Sequence, residues 1–161
     1  MRKIDSLREA IFAALPELKR DPDRLRIWID RGSAKSTLTE GEGMTLAFRL
    51  NVLVVEMASD IAVLGLAIFR WLRTNQPELM VPGPGNGFDF DADILDNGIA
   101  DVLLQLQLDQ AIVASERPDG VVDLKYEAEP APLFDADIAG ILTTPPLPDL
   151  TVEEDMPPWD P

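Results

Sequence analysis

A chain of 161 residues is long enough to bury one core and short enough to be one domain. It holds neither cysteine nor histidine, which excludes disulfides, thiolate or imidazole metal sites and a histidine general base. The net charge of −15 divides into +2 over residues 1–40, −9 over 41–127 and −8 over 128–161, an excess that opposes any tight grip on phosphate but leaves room for a channel through which DNA passes without sticking.

The amino terminus lacks the apolar core of a signal peptide. The most apolar stretch, Ile61 to Phe69, is half the length of a membrane span and runs into Arg70. A soluble protein in a reducing compartment is expected. Ser6-Leu-Arg-Glu9 reads as a capping box at the start of a first helix. Leu7, Ala10, Ile11, Ala14, Leu15 and Leu18 give that helix one apolar stripe, which Pro16 should kink or shorten.

After the Asp21-Pro22-Asp23 turn, alternation sets in. Leu25, Ile27 and Ile29 share one face of a strand, and Arg26, Trp28 and Asp30 share the other. The Gly/Ser/Thr-rich residues 32–43, "GSAKSTLTEGEG", read as a long mobile hairpin loop. Alternation resumes with Met44, Leu46, Phe48, Leu50, Val52 and Val54 on a core face and Thr45, Ala47, Arg49 and Asn51 on a wetter one.

Ser59 or Asp60 caps a second helix. Ile61, Leu64, Gly65, Ile68, Trp71 and Leu72 form its first face, while Val63, Leu66, Ala67 and Phe69 make the other side nearly as apolar. Such a helix is buried on more than one side, and a second subunit is one candidate cover. Pro77 stops the helix near Asn75, which tolerates a left-handed cap, and Arg70 and Arg73 sit where the helix dipole favours cations. Capping alone does not call for the Trp, Gln and Glu-Leu of "WLRTNQPEL".

The loop "VPGPGNG" lacks the Gly-Lys-Ser/Thr of a phosphate loop and precedes a strand. Three further strands follow in "FDFDADI", "DVLLQLQLDQAIVAS" and "GVVDLKYE", with Asn97-Gly98 turning between the first two. In the first, Phe88, Phe90, Ala92 and Ile94 are expected to face the core and Asp89, Asp91 and Asp93 to face out. Counted as a calcium loop from Asp89, the row fails at Ile94 and Ala100, where Gly and Glu are required. A solvated or interface-facing strand edge is the first reading and a weak cation site the second. Trp28, beside Arg26 and Asp30, fits an ordinary exposed aromatic and an interface anchor equally.

The expected fold is α+β: two helices on a mixed, mostly antiparallel sheet of four to five strands, formed by residues 1–127. Residues 128–161, rich in proline and acid and without a basic residue, read as an extended C-terminal arm. Phe134, Ile138, Ile141 and Leu142 give this arm one short apolar stripe suited to binding.

"SLREAIFAALPELKRDPDRLRIWIDRGS", "WLRTNQPEL", "GFDFDADILDNG" and "DVLLQLQL", in this order over about residues 6 to 113, resemble the tail completion protein R family of P2-like contractile-tailed bacteriophages. The resemblance implies a structural virion protein, not an enzyme, with no cofactor. It implies a tail terminator at the head-proximal end of the tail, assembled in the host bacterial cytoplasm, that prepares the tail for head-tail joining. Such proteins form closed rings, commonly hexamers, on an α+β fold. The implied partners are further copies of the chain, tail tube and sheath proteins, and head-tail connector proteins, with no membrane and no sequence-specific DNA contact. The interface candidates are Arg26, Trp28, Val63, Leu66, Phe69, Arg70, Arg73, Asp89, Asp91, Asp93, Phe134, Ile138, Ile141 and Leu142. A non-virion tail assembly factor is the alternative, and a metal-dependent enzyme would rest on the aspartate row alone.

Overall fold

In a computed structural model, residues 2–36, 42–95 and 97–129 are described. Helix α1 (Arg2–Ala14) is followed by the short α2 (Pro16–Arg20), then strands β1 (Leu25–Ser36) and β2 (Glu42–Met57). Helix α3 (Ile61–Asn75) precedes β3 (Asp89–Ile94), β4 (Ala100–Glu116) and β5 (Val122–Tyr126). Pro16 splits the first helix as expected, because it cannot continue the preceding hydrogen-bond ladder and instead opens α2 at its first turn.

The sheet runs β1-β2-β4-β3, and β5 also pairs with β4. Among the described residues every pairing is antiparallel, in keeping with the expected mostly antiparallel sheet. Along its second edge β4 is shared: β3 takes Ala100 to Gln105 and β5 takes Ile112 to Glu116. Between them Glu127 donates its N–H to the Ala111 carbonyl at 3.0 Å.

Alternate residues of β2 (Leu50, Val52, Val54) and β4 (Val102, Leu104, Leu106, Leu108) point to the helices and are buried with Leu7, Ile11 and Leu15 and with Leu64, Ile68 and Leu72. One layer of helices therefore covers one face of the sheet, the arrangement that the 2-residue and 3.6-residue apolar periods require. The Trp71 indole N–H donates to Ser6 Oγ at 2.9 Å and ties α3 to α1.

Several local expectations are corrected. Ser6 does not cap α1, which begins four residues earlier; its hydroxyl donates to the Lys3 carbonyl and accepts from Trp71. Residues 32–36 and 42–43 are strand, paired through Ser36 and Met44, so the hairpin is longer and its connection shorter than the composition suggested. The remaining connection, 37–41, lies outside the described residues. Asp60 caps α3 by accepting from the Ala62 N–H at 2.7 Å. The helix ends at Asn75, but Asn75 is not left-handed; its side-chain amide donates to the Trp71 carbonyl at 2.9 Å. Asn97 and Gly98 both take positive φ in the β3–β4 turn, as an Asn-Gly hairpin favours.

Candidate interaction site

Three groups of candidates occupy three parts of the fold. Arg26 and Trp28 lie on β1, one edge of the sheet, and on the face away from the helices. Asp89, Asp91 and Asp93 lie on the same face of β3, at the opposite edge. The register carries rows straight across: Trp28, Asn51, Gln105 and Asp89 form one, and Arg26, Leu53, Leu103 and Asp91 the next. Three strand spacings separate the ends of a row, about 14 Å, so within one chain the basic and acidic ends do not meet.

All six residues of β3 are exposed. Phe90 and Ile94 share the helix-side face of the sheet, yet they are 56% and 80% exposed, because the helices do not reach this edge. This overturns the expected core placement of Phe90, Ala92 and Ile94; only Phe88, just before the strand, packs inward, its ring 5.0 Å from that of Phe69. The carboxylates are spaced two residues apart on a strand, about 7 Å, whereas one cation would need ligands within about 2.6 Å of itself. No group of three acidic side chains that could hold a metal occurs among the described residues.

The α3 candidates are mostly covered from within. Val63 and Phe69 pack against the core, assisted by Leu79, Met80 and Phe88 from the connection after the helix. Leu66 and Arg70 are half-buried and Arg73 is exposed. The double apolar character of α3 thus needs no second subunit to explain Val63 and Phe69. Phe134, Ile138, Ile141 and Leu142 lie outside the described residues. No helix among the described residues is long and apolar enough to cross a membrane.

On the open face, Arg49 grips Asp30 through two hydrogen bonds, Nε to Oδ1 at 2.9 Å and a terminal nitrogen to Oδ2 at 2.5 Å. This bidentate contact is the main reason the Asp30 carboxyl is lowered to about 2, and it raises the Arg49 guanidinium in turn. Asn51 is buried in the middle of the same face and accepts from Gln105 Nε2 at 3.0 Å. By contrast Arg26, Asp89, Asp91 and Asp93 make no ion pair among the described residues.

The "NQPEL" stretch has a structural role that its local pattern did not reveal. Gln76 is 2% exposed and fills the gap that β3 and β5 leave along β4. Its Oε1 accepts from the Asp109 N–H at 3.2 Å and from Lys3 Nζ at 2.7 Å. Its Nε2 donates to Asp109 Oδ1 at 2.9 Å and to the Glu78 carboxylate. Lys3, itself buried, also donates to the Asp109 carbonyl at 2.6 Å and to Glu129 at 2.5 Å. A side-chain amide and an ammonium here satisfy backbone groups that a neighbouring strand would otherwise take. Apart from Glu78, their partners are 33 to 126 residues distant, so no local motif could have announced them.

Residues 1–130 match the family described as P2 phage tail completion protein R, well beyond the stretch carried by the quoted motifs. Tail completion protein R of Escherichia phage P2 is 39% identical over 134 residues, which cover 82% of this chain and 86% of that protein. No solved structure matches. With a family match over most of its length and a relative of that identity, the chain belongs to the P2 phage tail completion protein R family.

Proposed function

We propose that this protein is a structural component that completes a phage tail by closing its head-proximal end as a ring, commonly a hexamer in proteins of this kind, and makes the tail competent for head-tail joining. Family membership carries the reading. The fold supports it through a sheet that, among the described residues, is covered by helices on one face only, with strands exposed at both edges. A ring needs two different surfaces on each subunit, and this sheet has two chemically different edges. Its partners are then further copies of the chain, the last tube subunits, possible sheath contacts and the connector on the head side. The acidic surface lets DNA pass without being held. The role is mechanical and uses no reaction step or cofactor.

Deletion of the gene tests the reading. Electron microscopy of the lysate should show tails of uncontrolled length, or tails that never acquire heads. Normal infectious particles from the deletion would end the proposal. Mass spectrometry of purified virions separates this role from that of an assembly factor that leaves before maturity. A terminator is retained in fixed proportion to the tail, and its absence from infectious virions would favour the assembly factor.

A further inference from the structure

The geometry points to a specific contact between copies of this chain: the basic outer edge of β1 of one copy pairs antiparallel with the acidic outer edge of β3 of the next, continuing one sheet across the boundary. The inference rests on the ring reading and names the surface that closes it.

Strand direction is the first support. Across β1-β2-β4-β3 every neighbour is antiparallel, so β1 and β3 at the two ends run in opposite directions. A second copy placed beside β3 in the same orientation therefore presents a β1 that is again antiparallel. Both copies keep their helices on the same side and their open faces on the other. A head-to-tail repeat without inversion is what cyclic closure requires.

Charge is the second. The segment from Arg24 through β1 carries Arg24, Arg26, Arg31 and Lys35 against one acid, Asp30, which Arg49 already occupies. On β3, Asp89, Asp91 and Asp93 have no basic neighbour within the strand. A two-fold contact of β3 with β3 would set aspartate against aspartate, and β1 with β1 would set arginine against arginine. Like charges directly opposite are unfavourable and opposite charges favourable, so the edges reject themselves and accept each other.

Register is the third. Extending the observed rows by one strand puts Arg26 of the next copy opposite Asp91, with Trp28 opposite Asp89. On the helix side the same extension puts Ile27 opposite Phe90, covering a ring that is 56% exposed in the single chain. A slip by two residues still faces the acidic row with the Arg26 and Trp28 face, because side chains alternate with period two. The contact thereby assigns partners to Arg26, Trp28, Phe90 and the aspartates together.

Because the chain has no cysteine, paired cysteines report the contact directly. Arg26→Cys protein and Asp91→Cys protein are mixed, assembled on tails made without the native gene product, and oxidised. Disulfide-linked dimers are expected, with none from either variant alone and none from Arg26→Cys mixed with Asp123→Cys. Charge exchange is the second arm: Arg26→Asp or Asp91→Arg should each weaken assembly by about tenfold or more, since like charges then face each other. The double exchange should recover most of it, with unchanged circular dichroism in all three. Rings of the native chain on tails, with neither cross-linking at 26–91 or 26–89 nor sensitivity to charge exchange, would overturn the edge contact and leave the ring reading standing. If the native chain on tails forms no oligomer at all, both are overturned.

Discussion

Replacing Gln76 by leucine keeps the volume of a buried side chain and removes its four hydrogen bonds. The Asp109 N–H, on the uncovered stretch of β4, then has no acceptor, and an unsatisfied buried donor costs about 1–3 kcal/mol. Lys3 keeps two of its three acceptors, the Asp109 carbonyl and Glu129, so losing the third adds about 1 kcal/mol rather than the full cost of an unpaired buried charge. Better solvation of the leucine by the core offsets about 1 kcal/mol of this, leaving a net loss of about 1–3 kcal/mol. Urea unfolding reads this as a midpoint lower by about 0.5–1.5 M, given a slope of about 2 kcal/mol/M for a domain of this size. Amide exchange supplies a local reading, since Asp109 should lose protection far more than Leu104, which stays inside the β2–β4–β3 pairing. A midpoint unchanged within experimental scatter, with Asp109 still protected, would refute the idea that Gln76 substitutes for a missing strand.

The other predictions probe the edges of the same framework. The Asp30 carboxyl, lowered from 3.8 to about 2, contributes stability that is complete above pH 3.8 and is lost as pH falls through about 2. Urea titrations of the native chain and of Asp30→Asn should therefore converge across that window, and a constant difference between them would contradict the pairing with Arg49. Gly87 has φ +83° and donates its N–H to the Leu79 carbonyl at 2.7 Å, so Gly87→Ala should cost about 1–2 kcal/mol through backbone strain, read by thermal unfolding. Truncation after Pro130 should leave stability of the folded part unchanged, whereas truncation after Glu127 removes the Glu129 carboxylate from Lys3 and should lower the melting temperature by several degrees. Equal melting temperatures for the two truncations would mean that the Lys3–Glu129 pair adds nothing.

Apolar periodicity makes the main elements legible in the sequence. The alternation from Met44 to Val54 and the stripe from Leu64 to Leu72 read correctly because each follows its own period over many residues. Residues 32–36 read as loop because Gly, Ser and Lys have little strand preference of their own; pairing with Ser36's partner Met44 and its neighbours overrides that preference. Parity puts Phe90 and Ile94 on the correct face, but it cannot say how far a helix layer extends, and theirs stops short. The capping-box pattern at Ser6 was formally present, yet Lys3 is needed inside the helix to reach Gln76 and Asp109, so the helix starts earlier. Gln76 itself carried only the signal of an unexplained polar side chain beside a helix stop. The candidate site was legible as two charged rows; their relation as opposite ends of the same sheet rows required the strand order.

Electron cryomicroscopy of tails assembled with this protein tests the central claim most directly. A closed ring of identical subunits, one per tail and at the head-proximal end, should appear in the density, with the helices of each subunit on the same side of a sheet that continues from copy to copy. Tails whose head-proximal end lacks this chain, or carries it as isolated subunits without mutual contact, would contradict the account.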